Sequence, residues 1–248
     1  SSSNQAKLKD TPMLELVTLP PAFGMRNVSP FCLKAEMLLK SLDLSFTVSQ
    51  ISDPRKAPKG KLPYLVADGR TIPDSELITE HLDATTQGRV YAGLSDAQKA
   101  QGVALTRLAE DHLYWIMVAS RWLDPDWWPN VIKGFFGELP AIIRPIASTM
   151  ARRQVAQTYH LQGLGRHSLE EQRGFAERDL AALDAAVPAE DFLFGPSPGI
   201  FDFTVASLMA GIYDNKPATW LTGLAQNYEN LHAYSERVQA TVGVYGRH

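Results

Sequence analysis

Three short motifs in the first third of the chain combine hydroxyl, thiol and carboxylate groups with residues that begin or interrupt regular structure. SPFC at 29–32 sets a serine and the chain's single cysteine three residues apart, at the start of a predicted helix. LP at 62–63 puts a proline just inside a strand-like segment, and DS at 74–75 begins a second predicted helix. We expect the three motifs to meet at one site if the surrounding strands form one sheet.

Start signals for the first helix are strong. Ser29 is a favoured N-cap residue, and Pro30 suits the first helical position because the N–H that it lacks would be unpaired there. A second helix runs from the DS motif to about Leu82. Short apolar segments and turn residues predict the four strands, at 13–18, 44–51, 61–66 and 70–72, with Asp68-Gly69 as a hairpin turn between the last two.

Beyond about residue 93 the strand signal almost disappears and helical periodicity replaces it. A helical pattern covers 95–121, a capping box at 168–171 opens another helix, and further helices follow from Gly199 and from about Tyr228. The chain is therefore predicted to contain a small α/β domain at 11–84 and an all-helical domain at 94–248.

Composition excludes several classes of protein. The 248 residues include 24 basic and 27 acidic side chains, for a net charge of −3, without a basic run that suits nucleic acid. The single cysteine excludes an intramolecular disulfide, and the six histidines lack metal-ligand spacing, so we predict no metal. A polar start and the lack of 18 consecutive apolar residues predict neither a signal peptide nor a transmembrane segment, and we expect a cytoplasmic protein.

The order of these elements resembles the thioredoxin-like domain of the glutathione transferase superfamily, and the helical second half extends the resemblance over nearly the whole chain. SPFCLKAEMLLK, PKGKLPYL, GLGRHSLEE and FGPSPGIFDFTVASL are more specifically similar to the branch that contains the failed-axon-connections proteins and the metaxins. The implied fold is a thioredoxin-like α/β N-terminal domain followed by an all-α C-terminal domain. Asp202 resembles the family's buried capping carboxylate, which acts in folding.

The resemblance implies how glutathione, the co-substrate, is bound. Pro63 matches the family's cis-proline, which presents the Leu62 N–H and C=O to the cysteine of glutathione; the alternative is a trans proline in an edge strand. Asp74 and Ser75 match the acidic residue and serine that hold the ammonium and carboxylate of the γ-glutamyl group. The same pair also suits a simple N-cap.

Two further groups of side chains complete the expected site. Lys61 and Lys59 are candidates for the glycyl carboxylate, although lysines near a strand are commonly solvated surface. A hydrophobic electrophile would bind between the domains, where pockets are mostly apolar. The candidates for lining this pocket are aromatic residues, a group that also suits a protein core or a partner surface: Trp115, Trp122, Trp127, Trp128, Phe135 and Phe136.

Ser29 is the residue that the resemblance implies for activation of the glutathione thiol. Its hydroxyl would donate a hydrogen bond to the sulfur and, with the helix N-terminus, lower the thiol pKa from about 8.5 toward 7. The alternatives are Asn27, in the long preceding loop, and Cys32 in the first helical turn. Ser29 as a cap alone, and Cys32 as a buried inert side chain, are the structural interpretations.

We therefore expect a glutathione S-transferase, a detoxification enzyme that joins glutathione to a hydrophobic electrophile. One alternative is a noncatalytic adaptor, because metaxins are components of protein import at a mitochondrial membrane. Another is a glutathione-dependent thiol reductase acting through Cys32, although Ser29 replaces the usual partner cysteine. The resemblance also implies a homodimer.

Overall fold

The computed structural model describes residues 14–248, and within them a small mixed sheet with helices precedes a set of helices, as predicted. The strands are β1 Leu14–Thr18, β2 Phe46–Gln50, β3 Tyr64–Ala67 and β4 Arg70–Pro73. They form one sheet in the order β2-β1-β3-β4, in which β1 is parallel to β2, and β3 is antiparallel to both of its neighbours. Met13 and the polar tail at 1–10 lie outside the described residues.

Two α-helices accompany the sheet and the others follow it. Those of the sheet are α1 Pro30–Ser41 and α2 Ser75–Thr85. The later ones are α3 Asp96–Arg107, α4 Tyr114–Trp122, α5 Trp128–Phe136, α6 Arg144–Gln162, α7 Leu169–Ala186, α8 Ile200–Tyr213, α9 Trp220–Ala225 and α10 Glu229–Val242. Short 3-10 turns lie at Pro54–Lys56 and Leu164–Arg166.

Two predicted elements differ from the structure. The helical pattern over 95–121 is divided into α3 and α4 by a π-helical turn at Leu108–Leu113, which periodicity at three and four residues does not reveal. The third strand begins at Tyr64 rather than at Lys61, because Pro63 lacks the N–H that a strand ladder needs. Both differences lie next to candidate site residues.

Helix α1 packs closely between the sheet and α8. Ser29 caps it as predicted, since its Oγ accepts a hydrogen bond from the Cys32 N–H at 3.3 Å. Gly211 on α8 lies at this contact, where a Cβ would be 3.4 Å from Pro30 Cγ and 3.1 Å from Met117 Sδ. The N-terminus of α1 is thereby held between the two halves of the molecule.

Asp202 caps α8 from inside the protein. Its Oδ2 accepts from the Gly199 N–H at 2.9 Å, and its Oδ1 accepts from the Leu193 N–H at 2.9 Å and from the Tyr234 hydroxyl. Gly199 has no side chain with which to complete a reciprocal capping box. One buried carboxylate therefore satisfies three donors from three segments, which agrees with the structural role predicted for it.

We predict that Asp202→Ala lowers the free energy of unfolding by about 3 kcal/mol, because one buried and two partly buried donors lose their acceptor. Urea unfolding followed by far-ultraviolet circular dichroism measures the change. Tyr234→Phe is the matched control, since it removes only one of the three donors and is expected to cost about 1 kcal/mol. Equal losses in the two variants would contradict the role of Asp202 as a shared acceptor.

Candidate functional site

Ser29 lies at the N-terminus of α1 with its hydroxyl at the edge of the core. Besides accepting from Cys32 N–H, the residue donates its own N–H to Asn27 Oδ1 at 3.4 Å. A hydroxyl that accepts a hydrogen bond keeps its own proton to donate. Capping α1 is therefore compatible with donation to a bound sulfur. Asn27 is buried, and its amide NH2 is the side-chain group left for a ligand.

Cys32 is fully buried one turn into α1. Its thiol packs in an apolar cluster with Val17, Ala57 and Leu62. Burial raises the pKa of this thiol to about 11, and the contact with Ser29 only partly opposes that effect. These surroundings are those of a neutral packing residue, which matches the structural interpretation of Cys32.

The LP motif is adjacent to the first turn of α1, because Leu62 and Cys32 belong to the same apolar cluster. The Leu62–Pro63 peptide bond is cis, as the resemblance implies. Within residues 14–248 the Leu62 N–H and C=O lack a hydrogen-bond partner, since β3 begins only at Tyr64. Beside the first turn of α1, the fold therefore presents a backbone donor and acceptor suited to an extended peptide.

The DS motif is tied to the LP motif through the backbone. The Asp74 N–H donates to the Pro63 carbonyl at 3.2 Å, and the Asp74 side chain accepts from the Glu76 N–H at 2.8 Å. Asp74 has a φ of 77°, a conformation that costs energy outside glycine and recurs at ligand sites. Ser75 is buried at the first position of α2, and its hydroxyl has no partner in the part of the chain that the structure describes. All three motifs are thus connected.

The two candidate lysines lie at the outer side of this site. Lys59 and Lys61 are both exposed, on the segment that leads into Leu62. Neither forms an ion pair with a carboxylate of residues 14–248. Contact with a glycyl carboxylate stays a prediction for both.

The loop from β1 to α1 is held by residues far along the chain. The Arg26 guanidinium donates twice to the Tyr245 carbonyl, at 2.8 and 3.1 Å, and pairs with Glu36. The Asn27 N–H donates to the Gly246 carbonyl at 3.1 Å. The position of Ser29 therefore depends on a clamp formed by residues 245–247, which sequence analysis missed because the clamp uses mainly backbone carbonyls.

Most of the predicted aromatic group packs against this same loop. Phe23 is in T-shaped contact with Trp127 and Phe135, with ring centroids 4.8 and 4.9 Å apart. Trp122, Trp128 and Phe136 surround that contact and stay partly buried, so they combine a core role with a solvent-facing edge. Trp115 lies elsewhere, beside Tyr114.

Two residues of α4 near the site were missed by sequence analysis. Tyr114 packs its ring on Phe31 of the SPFC motif, with centroids 4.8 Å apart, and burial raises its pKa. Arg121, two turns later on the same face of the helix, is buried and donates to the Val28 carbonyl, next to Ser29. Their spacing of seven residues was the available signal, but the neighbouring tryptophans dominated the pattern.

Among residues 14–248, no group of three or more His, Cys, Asp or Glu side chains is arranged to hold a metal ion. None of the helices formed by these residues has the length and apolarity to span a membrane.

Comparisons with known proteins identify the family of this chain. A family model for the glutathione S-transferase N-terminal domain matches residues 30–127. The isoprene-epoxide glutathione S-transferase of Rhodococcus sp. strain AD45 is 31% identical over 237 residues, which cover 92% of this chain and 98% of that protein. Failed axon connections of Drosophila melanogaster is 28% identical over 75% of this chain and 47% of its own length. Metaxin-1 of Sus scrofa is 25% identical over 91% of this chain and 74% of its own length.

Solved structures share the fold over most of the chain. A glutathione S-transferase of Methylobacterium radiotolerans in complex with glutathione sulfonate superimposes with a TM-score of 0.61 at 16% identity, covering 95% of this chain and 97% of that one. A glutathione S-transferase of Methylobacillus flagellatus with glutathione bound gives a TM-score of 0.58 at 18% identity, covering 93% and 97%. The chain belongs to the glutathione S-transferase superfamily, in the branch that it shares with Failed axon connections and metaxin-1.

Proposed function

We propose that this protein is a glutathione S-transferase that binds glutathione in its N-terminal domain and transfers it to a hydrophobic electrophile. The observation that carries the proposal is the unpaired backbone of Leu62 beside the first turn of α1, the helix that Ser29 caps. The full-length similarity to a glutathione S-transferase supports it. The substrate named for that relative makes an epoxide the first electrophile to test.

In this proposal the tripeptide is held along three connected segments. Its cysteine pairs with the Leu62 N–H and C=O, as strands pair in a sheet. Its γ-glutamyl carboxylate meets the Ser75 hydroxyl and the first N–H groups of α2, while Asp74 attracts the ammonium. Lys59 and Lys61 attract the glycyl carboxylate. The cysteine sulfur then lies at the N-terminus of α1.

Activation follows from hydrogen bonding to the sulfur. The Ser29 hydroxyl donates its proton toward the sulfur, and the positive end of the α1 dipole favours the same anionic form. The thiol proton leaves to solvent. With an epoxide, a C–S bond forms as one C–O bond breaks, and the alkoxide takes a proton from water. The net reaction is addition of the thiol across the ring, which needs no other reactant.

We predict that Ser29→Ala lowers kcat/KM for conjugation of isoprene epoxide by roughly 10- to 100-fold at pH 6.5, because the thiolate loses a hydrogen bond to a charged acceptor. Ser29→Thr, which keeps a hydroxyl, is expected to retain more activity. Turnover is followed by chromatography of the conjugate, with an aromatic halide as a second electrophile.

Ser41→Ala is the matched control for these measurements. It removes a serine hydroxyl from the other end of α1, where Oγ donates to the Leu38 carbonyl at 2.8 Å, far from the three motifs along the helix. Its activity should equal that of the wild type. Lack of measurable glutathione binding at millimolar concentration would refute the proposal that the protein is a transferase. Unchanged activity of Ser29→Ala would refute the role of Ser29 as the activating residue.

A binding protein without catalysis is the second candidate, and the similarity to Failed axon connections and metaxin-1 favours it. Retention of the protein on immobilised glutathione, without turnover of any tested electrophile, would support this candidate over the first.

The reductase alternative depends on Cys32, whose buried thiol contains almost no thiolate at neutral pH. We predict that iodoacetamide alkylates Cys32 in urea but not in the native protein at pH 7.5, as measured by intact mass. Cys32→Ala is expected to keep conjugating activity close to that of the wild type. Loss of turnover in this variant would instead show that the Cys32 thiol takes part in the reaction.

We also propose a homodimer, for which large apolar side chains on α6 form the candidate contact. Ile146 and Met150, one turn apart, are 61% and 65% exposed. Sedimentation equilibrium at tens of micromolar should give twice the chain mass, and Ile146→Glu with Met150→Glu should give a monomer. Leu169→Glu, at a residue on α7 that is 51% exposed, is the control and should stay dimeric. A monomeric wild type would refute the dimer.

A further inference from the structure

Arg121 is a buried cation without an anion beside it. Its side chain belongs to a residue that is 5% exposed, and its Nε has no hydrogen-bond partner. In the part of the chain that the structure describes, no carboxylate lies within ion-pair distance of it. Burial lowers the pKa of this guanidinium to about 10, so it stays charged at neutral pH. Burying a charge without a counter-charge costs free energy of folding. We therefore expect Arg121 to have a role that a neutral side chain would not fill.

The contacts of Arg121 link α8 to the loop that presents Ser29. Its NH1 donates to the Val28 carbonyl at 3.4 Å, which belongs to the peptide that joins Val28 to Ser29. Its NH2 donates to the Gly211 carbonyl of α8 at 2.6 Å, and the guanidinium lies 5.5 Å from the centre of the Phe23 ring. The cation therefore connects α8 to the middle and to the C-terminal end of this loop.

The other buried ionisable groups around α1 are neutral or paired. Burial raises the pKa of the Cys32 and Tyr114 side chains, so both are uncharged at pH 7. The other buried or partly buried charges near α1 and the end of α8 are compensated in the pairs Arg26–Glu36, Lys34–Glu110 and Arg247–Asp214, whereas Lys40, in the last turn of α1, is exposed to solvent. Arg121 is left as the uncompensated buried charge next to the candidate site.

We propose that Arg121 is a positioning residue that fixes the Val28–Ser29 peptide and supplies the buried positive charge that favours the anionic form of the glutathione sulfur. This inference rests on the proposed function. In this proposal the counter-charge of the guanidinium is the sulfur anion of glutathione. That counter-charge is present only when glutathione is bound. It also explains why the cation contacts carbonyl oxygens rather than a carboxylate, since a fixed carboxylate would cancel its effect on the ligand.

The test compares Arg121→Met, which removes the charge, with Arg121→Lys, which keeps a charge but lacks the planar guanidinium that donates to two carbonyls. The thiol pKa of bound glutathione is measured from thiolate absorption in the ultraviolet, and kcat and KM are measured from pH 5.5 to 9. We expect the thiol pKa to rise by about one unit in Arg121→Met, as for one charge several ångströms away in a protein interior. Arg121→Lys is expected to show a smaller rise, and KM for glutathione to stay nearly constant.

Arg152→Met is the matched control. Arg152 also donates to backbone carbonyls, those of Trp122 and Leu123, and lies over the Trp128 ring, but it does not contact the loop of Ser29. Its loss should leave the thiol pKa unchanged. Thermal unfolding of each variant shows whether the protein folds, and Arg121→Lys alone decides the question if Arg121→Met does not fold.

A wild-type thiol pKa equal to that of free glutathione would refute the proposed activation itself. A lowered pKa in the wild type that persists in the folded Arg121 variants would overturn the role of Arg121 while leaving the transferase proposal intact. A change in KM or unfolding temperature without a change in thiol pKa would also overturn it, because a purely structural residue has that effect.

Discussion

The packing of α1 between the sheet and α8 determines where the residues of the SPFC motif lie. Gly211 of α8 is part of this contact, since a Cβ there would lie within van der Waals distance of Pro30 and Met117. Since Pro30 opens α1, this contact sets the position of the helix N-terminus, and with it Ser29. The first turn of α1 then brings Cys32 against Leu62, whose backbone stays unpaired. A single helix–helix approach thus positions a hydroxyl, a helix dipole and a free stretch of backbone around one point.

Two buried cations lie on α1 or contact the loop before it, and they differ in whether a carboxylate balances their charge. Lys34 pairs with Glu110 on the π-helical turn, so its charge is cancelled within the protein. Arg121 meets only carbonyl oxygens, a sulfur and an aromatic ring. Partial charges of that kind orient a guanidinium without neutralising it. The first cation holds the two halves of the molecule together, whereas the second leaves a positive potential under the loop of Ser29.

Features whose partners lie within a few residues were predictable from the sequence. The Ser29 cap, the turn at Asp68-Gly69 and the capping box of Ser168 and Glu171 are of this kind. The family resemblance added the cis-proline and the order of the domains. The π-helical turn was not predictable, because it changes the helical period without a marker residue. Nor was the contact of Arg121 with Val28, whose partners are separated by 93 residues and meet through a carbonyl that every residue possesses.

The clamp between Arg26 and Tyr245 joins residues that are 219 positions apart. The sheet, by contrast, is built from strands that follow one another within the first third of the chain. Contacts of such different sequence separation form at different stages, because closing a long loop costs more entropy than closing a short one. On the ribosome the α/β domain therefore emerges with its loop unanchored. The geometry around Ser29 is completed only after α10 has docked, so the candidate site and the fold are completed together.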